Sequence, residues 1–542
     1  MSCICRKAYR KENMKMLKTE LLFQDHMIVQ HGKRVSVWGE ASPGAKVTVT
    51  MQGKTAEAMA DAEGKWKVVC EPFHVSFAEE MVIVSEREHI TLKDVQAGEV
   101  WLAGGQSNME FHIRYDSDMA EEKKHCANDA IRFFDYPEVS YVGQINEADY
   151  RKNYGFWRKA EPQQLERFSA VAYYFAKELQ NRYQIPVGII GCNWGGTPAC
   201  AWMPCDAVAK GGGQVWLNEY AEAVKDLDVE KYAENFRKNP GSYQTDLLGN
   251  PFTELGMTCC SIEELTAKLM EMGIDLTETD LSCFTAQTGP MDPQRPGGLY
   301  ESMVCQVAPY TLRGVIWYQG ESDGDRHPET YRTIFPELIR SWRALWDEEL
   351  PFLFVQVAPL DEWMQISKGE PYVQIREAQQ FTADTLENTG MAVITDAGLE
   401  HDVHPKKKQP VGHRLALLAE NLVYGEDILC EAPTLTKVET ADGKLTLTFE
   451  NTGAGLYLSE TVPGGQTVGA KHLGGLQVFQ NGIELNAKNM ETFASGNQVT
   501  VISEEIRGGA DTEVRLACKG WYLVNLYNSA DLPARPGRVK GV

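Results

Sequence analysis

Glu99-Val100-Trp101-Leu102-Ala103-Gly104-Gly105-Gln106-Ser107-Asn108-Met109 is the stretch that decides the fold. A short apolar run closed by two glycines reads as a buried strand ending in a tight turn. The pattern recurs downstream. Val187-Gly188-Ile189-Ile190-Gly191, Gly314-Val315-Ile316-Trp317-Tyr318, Phe352 to Val357 and Met391 to Thr395 are further short apolar strands. Helical spacing separates them. Phe168, Val171, Ala172, Phe175 and Leu179 share one helical face, and further helices are predicted over Tyr331 to Trp346 and Leu415 to Leu422. Strand–helix alternation predicts a parallel sheet covered on both faces, and such sheets place sites at the carboxyl ends of their strands.

Outward from this core the periodicity changes to two. Arg34 to Trp38 and Lys46 to Met51 alternate, with turn residues at Ser42-Pro43-Gly44 and Asp61 to Lys65. This predicts an antiparallel β domain over 17–95. Leu445 to Phe449, Gln477 to Phe479 and Val499 to Ile502 predict a second β-rich segment over 431–542. The α/β unit then spans 96–430. Its alternation is interrupted by a charged, helix-forming insertion at about 206–298, with helices expected over Val224 to Arg237 and Ile262 to Met272. The length of 542 residues agrees with three or four units at roughly 150 residues each.

The chain has 53 Lys and Arg against 76 Asp and Glu, a net charge of −23, so a phosphate-backbone partner is not expected. The 13 cysteines are scattered without a C-x-x-C pair, as in Cys3/Cys5, Cys200/Cys205 and Cys259-Cys260, which suits free thiols in a reducing compartment. No apolar run approaches the ~18 residues of a membrane span. The first eighteen residues are basic without an apolar stretch behind them, so a cytoplasmic location is expected. Residues 1–15 read as an extension, with Met16 a candidate second start.

The segments beyond the strand ends carry the chemistry. Ser107 sits on a glycine-bounded turn that exposes a nucleophile, although Met109 stands where a G-x-S-x-G elbow has its second glycine. Cys192-Asn193-Trp194-Gly195-Gly196-Thr197-Pro198 offers glycine amides that a ligand can approach. Gln319-Gly320-Glu321-Ser322-Asp323 offers an amide and carboxylates. Asp396 to Pro405 holds His401, Asp402 and His404, an imidazole base with carboxylate neighbours. Each stretch alone also reads as a plain turn or solvated loop. Zinc binding by His401, Asp402 and His404 is a rival, but three donors so close in one loop fit tetrahedral geometry poorly. Together the four stretches supply a nucleophile, a backbone donor, a side-chain donor and a base, the inventory of acyl transfer.

These blocks resemble the sialate O-acetylesterase family of SGNH-hydrolase carbohydrate acetylesterases. The likeness rests on Trp101 to Glu110, Asn193 to Trp202, Val315 to Asp323 and Asp402 to Gly412. It extends to Met27 to Gln30, Val37 to Gly39 and Asn525 to Ser529. The insertion is least covered. The resemblance implies an SGNH-hydrolase (flavodoxin-like) three-layer α/β domain with a parallel sheet, flanked by N- and C-terminal β-rich domains. It implies Ser107 as nucleophile, His404 as base and Asp402 as orienter, with Glu321 or a backbone carbonyl as alternatives. The oxyanion hole would be the amides of Ser107 and Gly196 plus the Gln319 side chain, where many relatives carry Asn. Gln106, Trp194 and Glu321 would face substrate, and Trp317 reads more as core. No metal or other cofactor is implied. The expected substrate is an acetylated mono- or oligosaccharide, first a 9-O-acetyl sialic acid. An acetylated xylan or mannan fragment is the alternative, and a non-catalytic carbohydrate-binding protein is the reading from another class.

Overall fold

The structure is a computed structural model that describes residues 16–86, 88–146, 153–238, 251–273 and 287–541. The expectations for residues 1–15, with Cys3 and Cys5, and for the remaining parts of the insertion lie outside these residues.

The fold is mixed α/β around one large mixed sheet. Seven of its strands form an unbroken path: β1 (Glu88–Gly105), β2 (Asn128–Asp135), β3 (Trp157–Ala160), β4 (Val187–Asn193), β5 (Gly314–Tyr318), β6 (Phe352–Val355) and β7 (Thr389–Ala392). Their spatial order is β3-β2-β4-β1-β5-β6-β7. All neighbours are parallel except the edge strand β3, which runs antiparallel to β2. Chain order leaves β1 in two directions, first towards β4 and later towards β5. The carboxyl end of β1 is therefore the switch point of the sheet, where a crevice opens.

Side chains of β1 alternate between two apolar cores. Val100 and Leu102 join Trp317, Trp342 and Phe354 on one face. Trp101 and Ala103 join Phe175, Ile316 and Leu415 on the other. The first face is covered by the helices Pro328–Trp346 and Gly369–Thr385, and the second by Ala170–Tyr183 and Gln409–Leu422.

Strand β1 does not begin with the α/β unit. Its first half pairs antiparallel with Ser76–Ser85, and Ile28–Gln30 lies parallel to Gln96–Gly98. The residues on either side of 95/96 thus belong to one continuous 18-residue strand. Towards the other end, two four-stranded antiparallel sheets enclose a separate core around Val438, Leu447, Val478 and Val514. They dock on the large sheet through Tyr527, whose hydroxyl reaches Asp396 at 3.0 Å while Arg414 grips the same carboxylate. The described part of 206–273 is mostly helical, including Gln214–Val224, Val229–Lys238, Pro251–Thr258 and Ile262–Glu271, and 287–297 is built of turns. No described helix is long and apolar enough to cross a membrane.

Candidate active site

The nucleophile turn is forced by glycine. Gly105 has φ +133°, and a Cβ there would lie 2.1 Å from the Tyr318 carbonyl oxygen. The chain then enters the short helix Ser107–Glu110. Ser107 heads that helix, so its amide has no intrahelical acceptor. Its Oγ lies 2.8 Å from Nε2 of His404, 297 positions away in sequence.

The glycine loop after β4 is tied to the end of β1. Asn193 donates to the Ala103 carbonyl at 3.0 Å, and the Trp194 amide donates to that of Gly105 at 3.1 Å. Gly195 donates its amide to Glu110 Oε2 at 2.7 Å. This leaves Gly196, at φ +72° and exposed, beside Ser107 in the cavity lining. Neither the Ser107 nor the Gly196 amide donates to a protein acceptor among the described residues.

Gln319 does not join them. Its side chain is fully buried and points under the loop. Nε2 donates to Asp323 Oδ2 at 2.6 Å and to the Thr197 carbonyl at 3.2 Å, while Oε1 accepts from the Tyr331 hydroxyl at 3.0 Å. An amide engaged at both ends cannot also reach an oxyanion, so the expectation for Gln319 is corrected. Asp323 meanwhile accepts the Ala199 amide at 2.8 Å, so this pair props the glycine loop from below. Gln106 is placed differently. Its Oε1 accepts the Gly320 and Ser322 amides at 3.3 and 3.2 Å, and Nε2 has no protein acceptor among the described residues. Gln106 lines the cavity.

The histidine is held from several sides. Asp402 Oδ1 accepts the backbone amide of His404 at 2.9 Å and stands 3.9 Å from Nδ1, beyond hydrogen-bond reach. Its other oxygen pairs with Lys406 at 2.8 Å. Glu321 does not reach the imidazole; its Oε1 accepts from Asn108 at 2.6 Å. Asn108 also donates to the Val403 carbonyl at 3.0 Å and accepts from Lys408 at 2.5 Å, which locks the serine turn to the histidine loop. His404 Nδ1 is buried and makes no hydrogen bond among the described residues, although the nearby backbone carbonyl of Gly256, from the insertion, favours the charged imidazole. Burial outweighs it, and with the charges of Lys406 and Lys408 it holds the His404 pKa well below 6.5. Neutral His404 is the form that can accept a proton. Burial also lifts Glu110 and Glu321 to about 7.

These residues open on a cavity of about 370 Å³. Trp194 lines it as expected, while Trp317 is core, edge-on to Trp202 and Trp342. Sequence reasoning missed Trp363, whose ring stands edge-on to His404 at 5.6 Å, and Met257 of the insertion. Nothing near Trp363 marks it, because it arrives from a loop far from the four blocks. Glu110 and Asn108 were legible only as members of the serine block. His401 is exposed and is not among the residues lining the cavity. Among the described residues, no three His, Cys, Asp or Glu side chains gather closely enough to hold a metal.

Several known proteins have similar chains. A family model for carbohydrate esterases, described as sialic acid-specific acetylesterase, matches residues 285–419. Sialate O-acetylesterase of Mus musculus is 27% identical over 450 residues, covering 76% of this chain and 75% of that protein. The Homo sapiens enzyme is 27% identical over 455 residues, covering 76% and 72%. A carbohydrate acetylesterase from Xanthomonas citri superposes with a TM-score of 0.69 at 28% identity, covering 96% of this chain and 99% of that structure. The fold, the cavity and these likenesses define an ester hydrolase of the carbohydrate esterase class. The chain is similar to members of the sialate O-acetylesterase family.

Proposed function

We propose that the protein hydrolyses O-acetyl esters of sugars through an acetyl-Ser107 intermediate. The observation that carries this reading is the 2.8 Å contact between Ser107 Oγ and His404 Nε2, beside two amides without protein acceptors. His404, neutral and protonated on Nδ1, takes the Ser107 hydroxyl proton on Nε2 as Oγ attacks the acetyl carbonyl. The oxyanion forms against the amides of Ser107 and Gly196 and, in place of Gln319, the Nε2 of Gln106. The C–O bond to the sugar breaks, and His404 returns its proton to the leaving alkoxide. Water then repeats the sequence on acetyl-Ser107 and releases acetate. Asp402 acts at 3.9 Å through its charge and through the His404 backbone.

We read the sheet and its strand-end site as an SGNH-hydrolase core over 96–430, with β units over 17–95 and 431–542. Limited proteolysis cutting between Gly425 and Pro433, with both pieces still folded, tests the second boundary. For the chemistry, wild type should release acetate from acetylated sugars and trap as an acetyl adduct of Ser107 by intact mass. Ser107→Ala should do neither while keeping its melting temperature. The name of the relatives points to an O-acetylated sialic acid, of which the 9-O-acetyl form is the first candidate, and the neutral acetylated oligosaccharide is favoured by the carboxyl groups of the cavity.

A further inference from the structure

A sugar brought to Ser107 would meet the side chains that line this cavity. Three carboxyl groups line it: Glu110, Glu321 and Asp325. Glu110 is 5% exposed; with Oε2 on the Gly195 amide, its Oε1 has no protein donor among the described residues. Glu321 Oε2 is likewise buried without a partner. Asp325 accepts from Ser367 at 2.7 Å and Tyr372 at 3.2 Å, so its oxygens also remain acceptors only.

Among the described residues that line the cavity, no unpaired Lys or Arg balances them. Arg326 is the only Lys or Arg of these residues that lines the cavity. Its guanidinium pairs with Glu219 at 2.9 Å and lies 4.6 Å over the Trp216 ring. Lys406 is turned onto the Met257 carbonyl at 2.6 Å and Asp402, and Lys408 is buried on Asn108. His404 is neutral at pH 7, because burial and the two lysines hold its pKa down.

Sialic acids carry a C1 carboxylate that is ionised at neutral pH. Such a group needs a bidentate arginine or an equivalent cation once desolvated. A neutral pyranose instead offers hydroxyl donors to spare carboxylate oxygens and an apolar face to Trp194 and Trp363, both in the lining.

We propose that this site selects uncharged O-acetylated pyranosides, of the kind found in acetylated xylo- or manno-oligosaccharides, and disfavours O-acetylated sialic acids. Glu110 Oε1 accepts a sugar hydroxyl hydrogen and is the specificity-determining group. The proposal rests on the acetylesterase reading, and the experiment separates the two. 4-Nitrophenyl acetate reports the chemistry alone. Acetate release is then compared among an acetylated methyl xyloside, O-acetylated N-acetylneuraminic acid and the C1 methyl ester of the latter. With 4-nitrophenyl acetate turned over, kcat/KM for the xyloside should exceed that for the free sialic acid by ~100-fold or more, and masking the carboxylate should recover ~10-fold. Glu110 is lifted to about 7, so the comparison is made at pH 8, where it is ionised; Glu110→Gln removes that charge and keeps an acceptor oxygen, so it should narrow the gap between free acid and methyl ester. Turnover of 4-nitrophenyl acetate with the free sialic acid equal to its ester and to the xyloside overturns the proposal. Loss of all turnover, including 4-nitrophenyl acetate, overturns the esterase reading and the proposal with it.

Discussion

Gln106 and Gln319 occupy matching places in the sheet. Each is the first residue beyond a strand end, and the residues before them, Gly105 and Tyr318, are register partners on neighbouring parallel strands. Their fates are opposite. Gln106 lines the cavity, anchored by its oxygen and with no protein acceptor for Nε2 among the described residues, whereas Gln319 is turned beneath the glycine loop with both ends engaged. The same amide in the same topological position keeps a free donor at the cavity in one case and is a structural brace in the other. The difference lies in whether buried partners already wait for its polar atoms. Asp323, Thr197 and Tyr331 wait for Gln319.

The widest separation between chemistry and support should come from the serine. Ser107→Ala should cut kcat by ~10⁴-fold or more while leaving the melting temperature unchanged, because Ser107 Oγ contacts only His404 among protein groups in the described residues. Retained turnover would remove the nucleophile on which the whole comparison depends. The two glutamines divide next. Gln106→Ala should lower kcat by ~10²-fold or more through loss of an oxyanion donor. Gln319→Ala should act chiefly on stability, at about 1–3 kcal/mol for each buried partner left unpaired. Steady-state kinetics beside thermal melts of both variants would reverse the assignment if Gln319→Ala lost rate at full stability and Gln106→Ala lost neither.

The sequence made the scaffold legible for a physical reason: buried parallel strands are apolar on both faces, so they stand out as short runs between helices. The strands at 187–191 and 314–318 were readable on that ground, as were Ser107 and His404 at strand ends. Side-chain direction was not. Gln319 reads from sequence as a free donor because its partners Tyr331 and Thr197 come from a helix and from another loop. The helix Gly369–Thr385 escaped because its buried face carries Arg376, Gln379 and Thr382, which blunts the hydrophobic period. Strand β1 hides its length because Glu88 to Leu92 still alternates like the β region it pairs with, while Val100 to Ala103 is apolar throughout.

The carboxylates beside the histidine invite a similar contrast, with a smaller effect. In a hydrogen-bonded triad, changing the acid to its amide costs about 10⁴-fold. Here Asp402 stands 3.9 Å from Nδ1 and binds the His404 backbone instead. Asp402→Asn keeps that backbone acceptor and loses only charge, so kcat should fall by ~10-fold. Glu321→Gln should leave the imidazole in place, since Glu321 contacts Asn108 and not His404. A 10⁴-fold loss in Asp402→Asn would mean that the side chain closes onto Nδ1 during catalysis.

The smallest effect concerns pH and distinguishes His404 from Glu110. The base must be neutral, so activity is present above the His404 pKa and lost as pH falls through it. Burial first, then Lys406 and Lys408, push that pKa well below 6.5. Lys406→Met removes one positive charge, which raises the His404 pKa and moves the acid limb of kcat/KM to higher pH. Lys406 is 28% exposed and screened by solvent, so the shift should stay under about one unit and shrink with added salt. Glu110 titrates at about 7 for other reasons, namely its burial and the nearby Asp135 and Arg114 charges. A limb governed by Glu110 would therefore stay where it is in Lys406→Met. Movement upward assigns the limb to the imidazole, and a fixed limb near neutrality would transfer it to the carboxyl group that holds the glycine loop.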